Sequence, residues 1–148
     1  MSLKHQITEA MKDAMRARDK GRLGAIRLIL ADIKRVEVDE RIEVDDTRVL
    51  AILDKMTKQR KDSITQFAAA GRTDLVDQEE LELAVISGFM PAPLSASEIT
   101  AVIESTLVEL GTRSAKDMGR IMATLKPRLQ GRADMSQVSR ELKGLLGN

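Results

Sequence analysis

The side chains in this chain best suited to chemistry are cations held at close spacing. Lys116, Arg120, Lys126, Arg128 and Arg132 fall within one stretch, S-A-K-D-M-G-R-I-M-A-T-L-K-P-R-L-Q-G-R-A-D, from Ser114 to Asp134. Placed on a helix from Lys116 to Leu129, residues Met118, Ile121, Met122, Leu125 and Leu129 gather into one apolar stripe. Lys116 and Arg120 then lie opposite that stripe and Lys126 and Arg128 on its flanks, with Asp117 alone opposing them. Such a row of ammonium and guanidinium groups suits phosphate oxygens. The same row on many helices does no more than keep an exposed face solvated.

Other chemistries have little to work with. There is no cysteine, and the one histidine, His5, sits near the N-terminus in a helical stretch, a poor position for a general base. The nine glycines are scattered as helix stops, so no phosphate-cradling G-x-G-x-x-G or Walker loop is present. The acidic run Glu37, Asp39, Glu40, Glu43, Asp45 and Asp46 lacks the D-x-D-x-D-G arrangement of a calcium loop and reads as a solvated connector. No catalytic residue, metal or cofactor is expected, and neither glutaminase nor ATPase activity. A second candidate site is a groove lined by Gln59, Arg60 and Ser63, of which Arg60 and Ser63 interrupt an otherwise apolar stripe. The structural alternative for Arg60 is an ion pair between helices, with Glu82 or Asp32 as partner, since a buried guanidinium must be matched.

The elements that hold these residues are expected to be helices throughout. Ser2 caps a first helix with Leu3, Ile7, Met11, Ala14 and Met15 inward, and Asp19 a second with Leu23, Ile26, Ile29, Leu30 and Ile33. Val36 to Asp46 reads as a loop or frayed end. A third helix runs from Asp45 or Asp46 to Gly71 on Val49, Ile52, Leu53, Met56, Ile64 and Phe67. A fourth opens at Thr73 or Asp74, with Leu75, Leu81, Ala84, Val85 and Phe89 inward. Pro91 and Pro93 then remove donors and fix φ, which marks a boundary between domains at 1–91 and 95–148. Ser95 and Glu98 form a capping box for a fifth helix, with Ile99, Val102, Ile103, Leu107 and Leu110 inward and Gly111 as its stop. The basic helix is the sixth, with a kink or restart expected at Pro127. The seventh begins at Asp134, has Gln137 at the capping-box position and buries Val138, Leu142 and Leu145 or Leu146. The fold class is all-α, a bundle of about four helices followed by a three-helix domain.

Composition sets limits on partners. The 148 residues carry 24 basic and 23 acidic side chains, too even a balance for indiscriminate nucleic-acid binding. Charge is uneven along the chain, however: 16 basic and 17 acidic groups up to residue 90, then 8 and 6. Only Phe67 and Phe89 are aromatic, so bases of a single strand could not be stacked, whereas a folded RNA can be gripped through its phosphates and shape. Without a charged-then-apolar leader or an apolar run of membrane-spanning length, the chain reads as a soluble cytoplasmic monomer with no membrane partner.

Several stretches carry a family resemblance. M-G-x-I-M-x-x-L-x-P-x-L-x-G-R-A-D from Met118 to Asp134, R-L-G-A-I-R-L at Arg22 to Leu28, K-Q-R-K-D-S at Lys58 to Ser63 and G-R-T-D-L-V at Gly71 to Val76 resemble YqeY-like proteins in order and spacing. The C-terminal domain of that family resembles the tail domain of the B subunit of the tRNA-dependent glutamyl/aspartyl amidotransferase, which lies against the tRNA body. The family label is that of a carbon-nitrogen ligase with glutamine as amide donor, but in the multi-subunit enzyme that chemistry belongs to parts this chain lacks. The resemblance therefore implies an accessory module that contacts tRNA or another structured RNA. An adaptor for an aminoacyl-tRNA synthetase or an amidotransferase is the alternative.

Overall fold

The structure, a computed structural model, describes residues 1–147. Among them seven α-helices follow in order: α1 Leu3–Arg16, α2 Lys20–Glu40, α3 Asp46–Ala69, α4 Thr73–Ser87, α5 Ala96–Leu110, α6 Met118–Leu129 and α7 Met135–Leu145. A 3-10 turn at Ala115–Asp117 leads into α6, and no strand forms among the described residues. The protein is all-α, as the helical periodicity predicts. The chain divides into two compact units, Met1–Pro91 and Ala92–Asn148.

In the first unit the core is aliphatic. Ile7 and Ala14 of α1, Ala25, Ile26, Ile29 and Ile33 of α2, Val49, Ile52, Leu53 and Met56 of α3, and Val85 and Ile86 of α4 are buried together. Helix ends are set by local chemistry. Ser2, Asp19 and Asp45 each accept the backbone N–H three residues on, at Ser2 Oγ from His5 (3.1 Å), Asp19 Oδ1 from Arg22 (3.1 Å) and Asp45 Oδ1 from Arg48 (2.8 Å). Gly71 closes α3 with φ +69°: its N–H reaches Ala68 O and that of Arg72 reaches Phe67 O, the paired bonds of a Schellman end.

Four expectations for this unit are corrected. Helix α2 continues through Val36 to Glu40, leaving only Arg41–Asp45 as connection. Glu37 makes the difference, because Lys4 Nζ binds its carboxylate at 2.9 Å and the Val44 N–H reaches it at 3.2 Å, fixing the end that the sequence suggested would fray. Met15 is 49% exposed, since the core stripe of α1 runs through Ile7 and Ala14 and leaves Met15 beyond its edge. In α3 the stripe is buried only as far as Met56; Ile64 and Phe67 are half-buried. Helix α4 is capped by Arg72 without a side-chain bond and turns Glu82, Val85 and Ile86 inward, while Leu81 and Ala84 are exposed. The buried acid at position 82 breaks the apolar pattern by which that face would have been recognised.

The second unit packs Ile103 and Leu107 of α5, Ile121, Leu125 and Leu129 of α6, and Val138 and Leu142 of α7. Met118 and Met122 pack against this core half-buried. Ser95 and Glu98 make both bonds of the capping box, and Gly111 ends α5 at φ +66°. Helix α6 begins at Met118, not Lys116, and passes through Pro127 to Leu129 instead of restarting. Pro127 costs the helix one donor, the one that would have reached Ala123 O, and the ladder resumes beyond it with the Gln130 N–H on Lys126 O at 2.8 Å. Gly131, at φ +79°, then turns the chain. Asp134 caps α7 by accepting the Ser136 N–H at 2.9 Å, so the reach is to the second helical residue and the reciprocal bond expected of Gln137 does not form. Beyond α7 the chain is tied back: the Ala115 N–H donates to Gly147 O at 2.7 Å and the Gly147 N–H to Arg113 O at 2.8 Å.

Candidate functional site

The basic residues of the second unit differ in how they are held. Lys116, in the 3-10 turn, is exposed, and so is Lys126 on α6; neither has an ion-pair partner among the described residues. Arg120 is exposed and lies 4.0 Å from Asp117, one turn away, a separation at which the pairing is weak. Asp117 is itself engaged, accepting the Thr112 hydroxyl at 2.6 Å.

Arg128 is committed elsewhere. Its Nη1 donates to Thr106 Oγ1 at 2.8 Å and its Nη2 to Glu109 Oε1 at 3.0 Å, both on α5. The Thr106 side chain is buried, and its hydroxyl also donates to Val102 O at 2.8 Å. Arg128 thus links α6 to α5 by a forked guanidinium bond. Arg132 is half-buried, with Nε 3.4 Å from Ala92 O, beside the backbone bond from Leu94 N–H to Arg132 O at 2.9 Å. Of the five predicted cations, the structure leaves Lys116, Arg120 and Lys126 exposed, on α6 and the turn before it, and turns Arg128 toward α5 and Arg132 toward Ala92.

Charge is segregated by helix in this unit. Helix α5 carries Glu98, Glu104 and Glu109 and no base, whereas α6 carries Arg120, Lys126 and Arg128 and no acid. Glu104 pairs with Arg113 and Glu109 with Arg128. Glu98 is held by the Ser95 N–H and hydroxyl, which with Arg132 nearby keep its carboxyl below the ordinary range. Two exposed bases of α7, Arg140 and Lys143, lie outside the five cations expected from the sequence. Their signal is in the sequence, since Arg140 falls opposite the Val138 and Leu142 stripe and Lys143 on its flank.

In the first unit Arg60 of α3 meets Glu82 of α4, Nε to Oε2 at 3.3 Å, with both side chains largely buried. The buried Nε–H has no acceptor in line, so the contact is one of charge and not a hydrogen bond. Gln78 completes Glu82 by donating to Oε1 at 3.2 Å. Of the candidate groove, Gln59 is exposed and Ser63 half-buried, while Arg60 is occupied by this pairing. Burial and the neighbouring Glu82 push the Glu79 carboxyl above its ordinary range, with Arg60 opposing the shift. The acidic run at the end of α2 has structural tasks: Glu37 holds Lys4, Glu40 pairs with Arg48, Asp45 caps α3 and Asp46 Oδ1 accepts the Leu3 N–H at 2.8 Å.

Residues 4–146 match the family model described as Yqey-like protein. Among curated proteins, "Altered inheritance of mitochondria protein 41, mitochondrial" of Pyrenophora tritici-repentis is 34% identical over 144 residues, covering 93% of this chain and 77% of that protein. The protein of the same name from Eremothecium gossypii is 36% identical over 121 residues, 79% of this chain and 66% of its own length. That from Saccharomyces cerevisiae is 36% identical over 90 residues, 60% of this chain and 49% of its own length. The expected cytoplasmic location is thereby corrected, because these relatives are named mitochondrial proteins. That expectation rested on the lack of a secretory leader and of an apolar span, and neither bears on import into mitochondria, for which the signals are amphipathic and Arg-rich. No helix among the described residues is long and apolar enough to cross a membrane.

Proposed function

The chain belongs to the YqeY-like family, and we propose that it is a noncatalytic module that binds tRNA or another structured RNA through its C-terminal unit. The observation that carries this reading is the segregation of charge: α6 presents Lys126 and Arg120, with Lys116 just before it, and has no acid of its own. Phosphates are the ligand such a face suits, and contact through phosphates needs no aromatic platform. The resemblance of the family's C-terminal domain to the amidotransferase tail domain points the same way.

The test is binding to unfractionated tRNA at two salt concentrations, with Lys116→Glu/Arg120→Glu as the variant. Neither residue belongs to the core or caps a helix, so folding should change by less than about 0.5 kcal/mol. Affinity is expected to fall and the salt dependence to flatten, because fewer counterions are released. Arg60→Ala serves as control: it should lower the melting temperature through loss of the partner of Glu82 and leave RNA affinity unchanged. Binding that is absent in the unmodified chain, or untouched by the double reversal, would favour an adaptor that recognises a synthetase or an amidotransferase.

A further inference from the structure

We infer that the phosphate-binding surface is built by α6 and α7 together, with Arg140 and Lys143 of α7 taking the part that Arg128 and Arg132 were expected to play. The inference rests on the RNA-binding reading above and specifies which side chains carry it.

Six acidic side chains follow Ala92, and each is engaged: Glu98 in the capping box, Glu104 with Arg113, Glu109 with Arg128, Asp117 with the Thr112 hydroxyl, Asp134 in the cap of α7, and Glu141 with the Thr100 hydroxyl of α5. Among the described residues none of Lys116, Lys126, Arg140 and Lys143 is ion-paired. An exposed base with a carboxylate partner gains little by exchanging it for a phosphate, whereas one without a partner releases its own share of the RNA's condensed counterions.

Backbone geometry then brings these four bases onto neighbouring helices. Helices α6 and α7 are joined by the short turn at 130–134, and the end of α7 returns to the start of α6 through the Ala115 to Gly147 and Gly147 to Arg113 bonds. The two helices therefore run antiparallel. Lys143 lies in the last turn of α7, two residues before its end at Leu145, and Lys116 follows Ala115 directly, so both stand at the tied end. Arg140 is one turn further along α7. Both α7 bases are exposed, Arg140 opposite buried Val138 and Leu142 and Lys143 on the flank, while Glu141, the acid of that helix, accepts the Thr100 hydroxyl of α5. A surface of this breadth, one helix beside another and without aromatic groups, suits the successive phosphates of a folded RNA strand.

The experiment compares the full chain with Arg140→Glu/Lys143→Glu and with Lys116→Glu/Arg120→Glu in tRNA binding across a salt series, each variant checked by its helical circular dichroism and melting temperature. Loss of affinity of at least about tenfold, with a salt slope lowered by about 2, is expected of the α7 pair. If the α7 reversal alters folding, Arg140→Gln/Lys143→Gln should still lower the slope. Binding that falls with the α6 pair and is unchanged by both α7 variants overturns the inference and leaves the proposed function standing. No binding by the unmodified chain defeats both.

Discussion

At the scale of single residues, Glu79 of α4, beside the Arg60 and Glu82 pair, gives stability a testable dependence on pH. Burial and Glu82 hold the Glu79 carboxyl above its ordinary range in the folded chain. In acid, below the ordinary glutamate range, Glu79 is protonated whether the chain is folded or not and contributes nothing. As pH rises from the ordinary value through the raised one, the unfolded chain ionises more readily and folding loses stability. Glu79→Gln should therefore stabilise the protein at neutral pH, by no more than about 1 kcal/mol, and the gain should vanish in acid. Melting curves across that range decide it; a gain that persists unchanged in acid would show that ionisation is not the cause. The sequence made Arg60 legible because a charge on an apolar stripe demands an explanation, and Glu82 was among its predicted partners. It could not reveal that Arg128 would turn to Thr106 and Glu109. A long side chain on the flank of a helix can reach water or a neighbouring helix, and only the packing of α5 decides which.

At the scale of elements, local sequence signals hold most faithfully where one side chain meets the adjacent backbone. Ser95 with Glu98, Asp45, Asp134, Gly71 and Gly111 all act at the ends where their types place them. The inward face of α4 departs from its apolar pattern for a physical reason. Its inward stripe contains Glu82, so the apolar periodicity gave more weight to Leu81 and Ala84 than tertiary packing does. Leu81, though 40% exposed, reaches across to α2, where a Cβ at Gly21 would come within 3.1 Å of its Cδ2. Gly24, one turn further along α2, is different. An added Cβ would meet nothing within 4 Å, and the backbone there is ordinary helix. Gly24→Ala should accordingly stabilise the protein by about 0.5 to 1 kcal/mol, seen as a higher denaturation midpoint with an unchanged slope. A loss of stability would mean that the open space above Gly24 is not open in solution.

At the scale of the whole molecule, the two units have separate apolar sets, and the stretch between them, Pro91 to Pro93, is exposed and non-helical. The second unit is close to the lower limit of autonomous folding, since a domain of roughly 60 residues buries only a little over half of the surface its unfolded chain exposes. Three features offset the small core: the complete capping box on α5, the Arg128 fork onto Thr106 and Glu109, and the backbone tie between Gly147 and the start of α6. Subtilisin under native conditions is expected to cut between Ser87 and Ala96 and to leave two resistant fragments. No Lys or Arg occurs between Arg72 and Arg113, so trypsin cannot open this region and should act first at Arg41, in the connection between α2 and α3. Mass spectrometry identifies the fragments, and circular dichroism of the purified C-terminal piece should retain its helices and melt cooperatively. Progressive degradation with no protected intermediate would mean that the two apolar sets fold as one cooperative body. An isolated C-terminal piece that lacks helix would instead mean that its caps and its tie hold only while the first unit is attached.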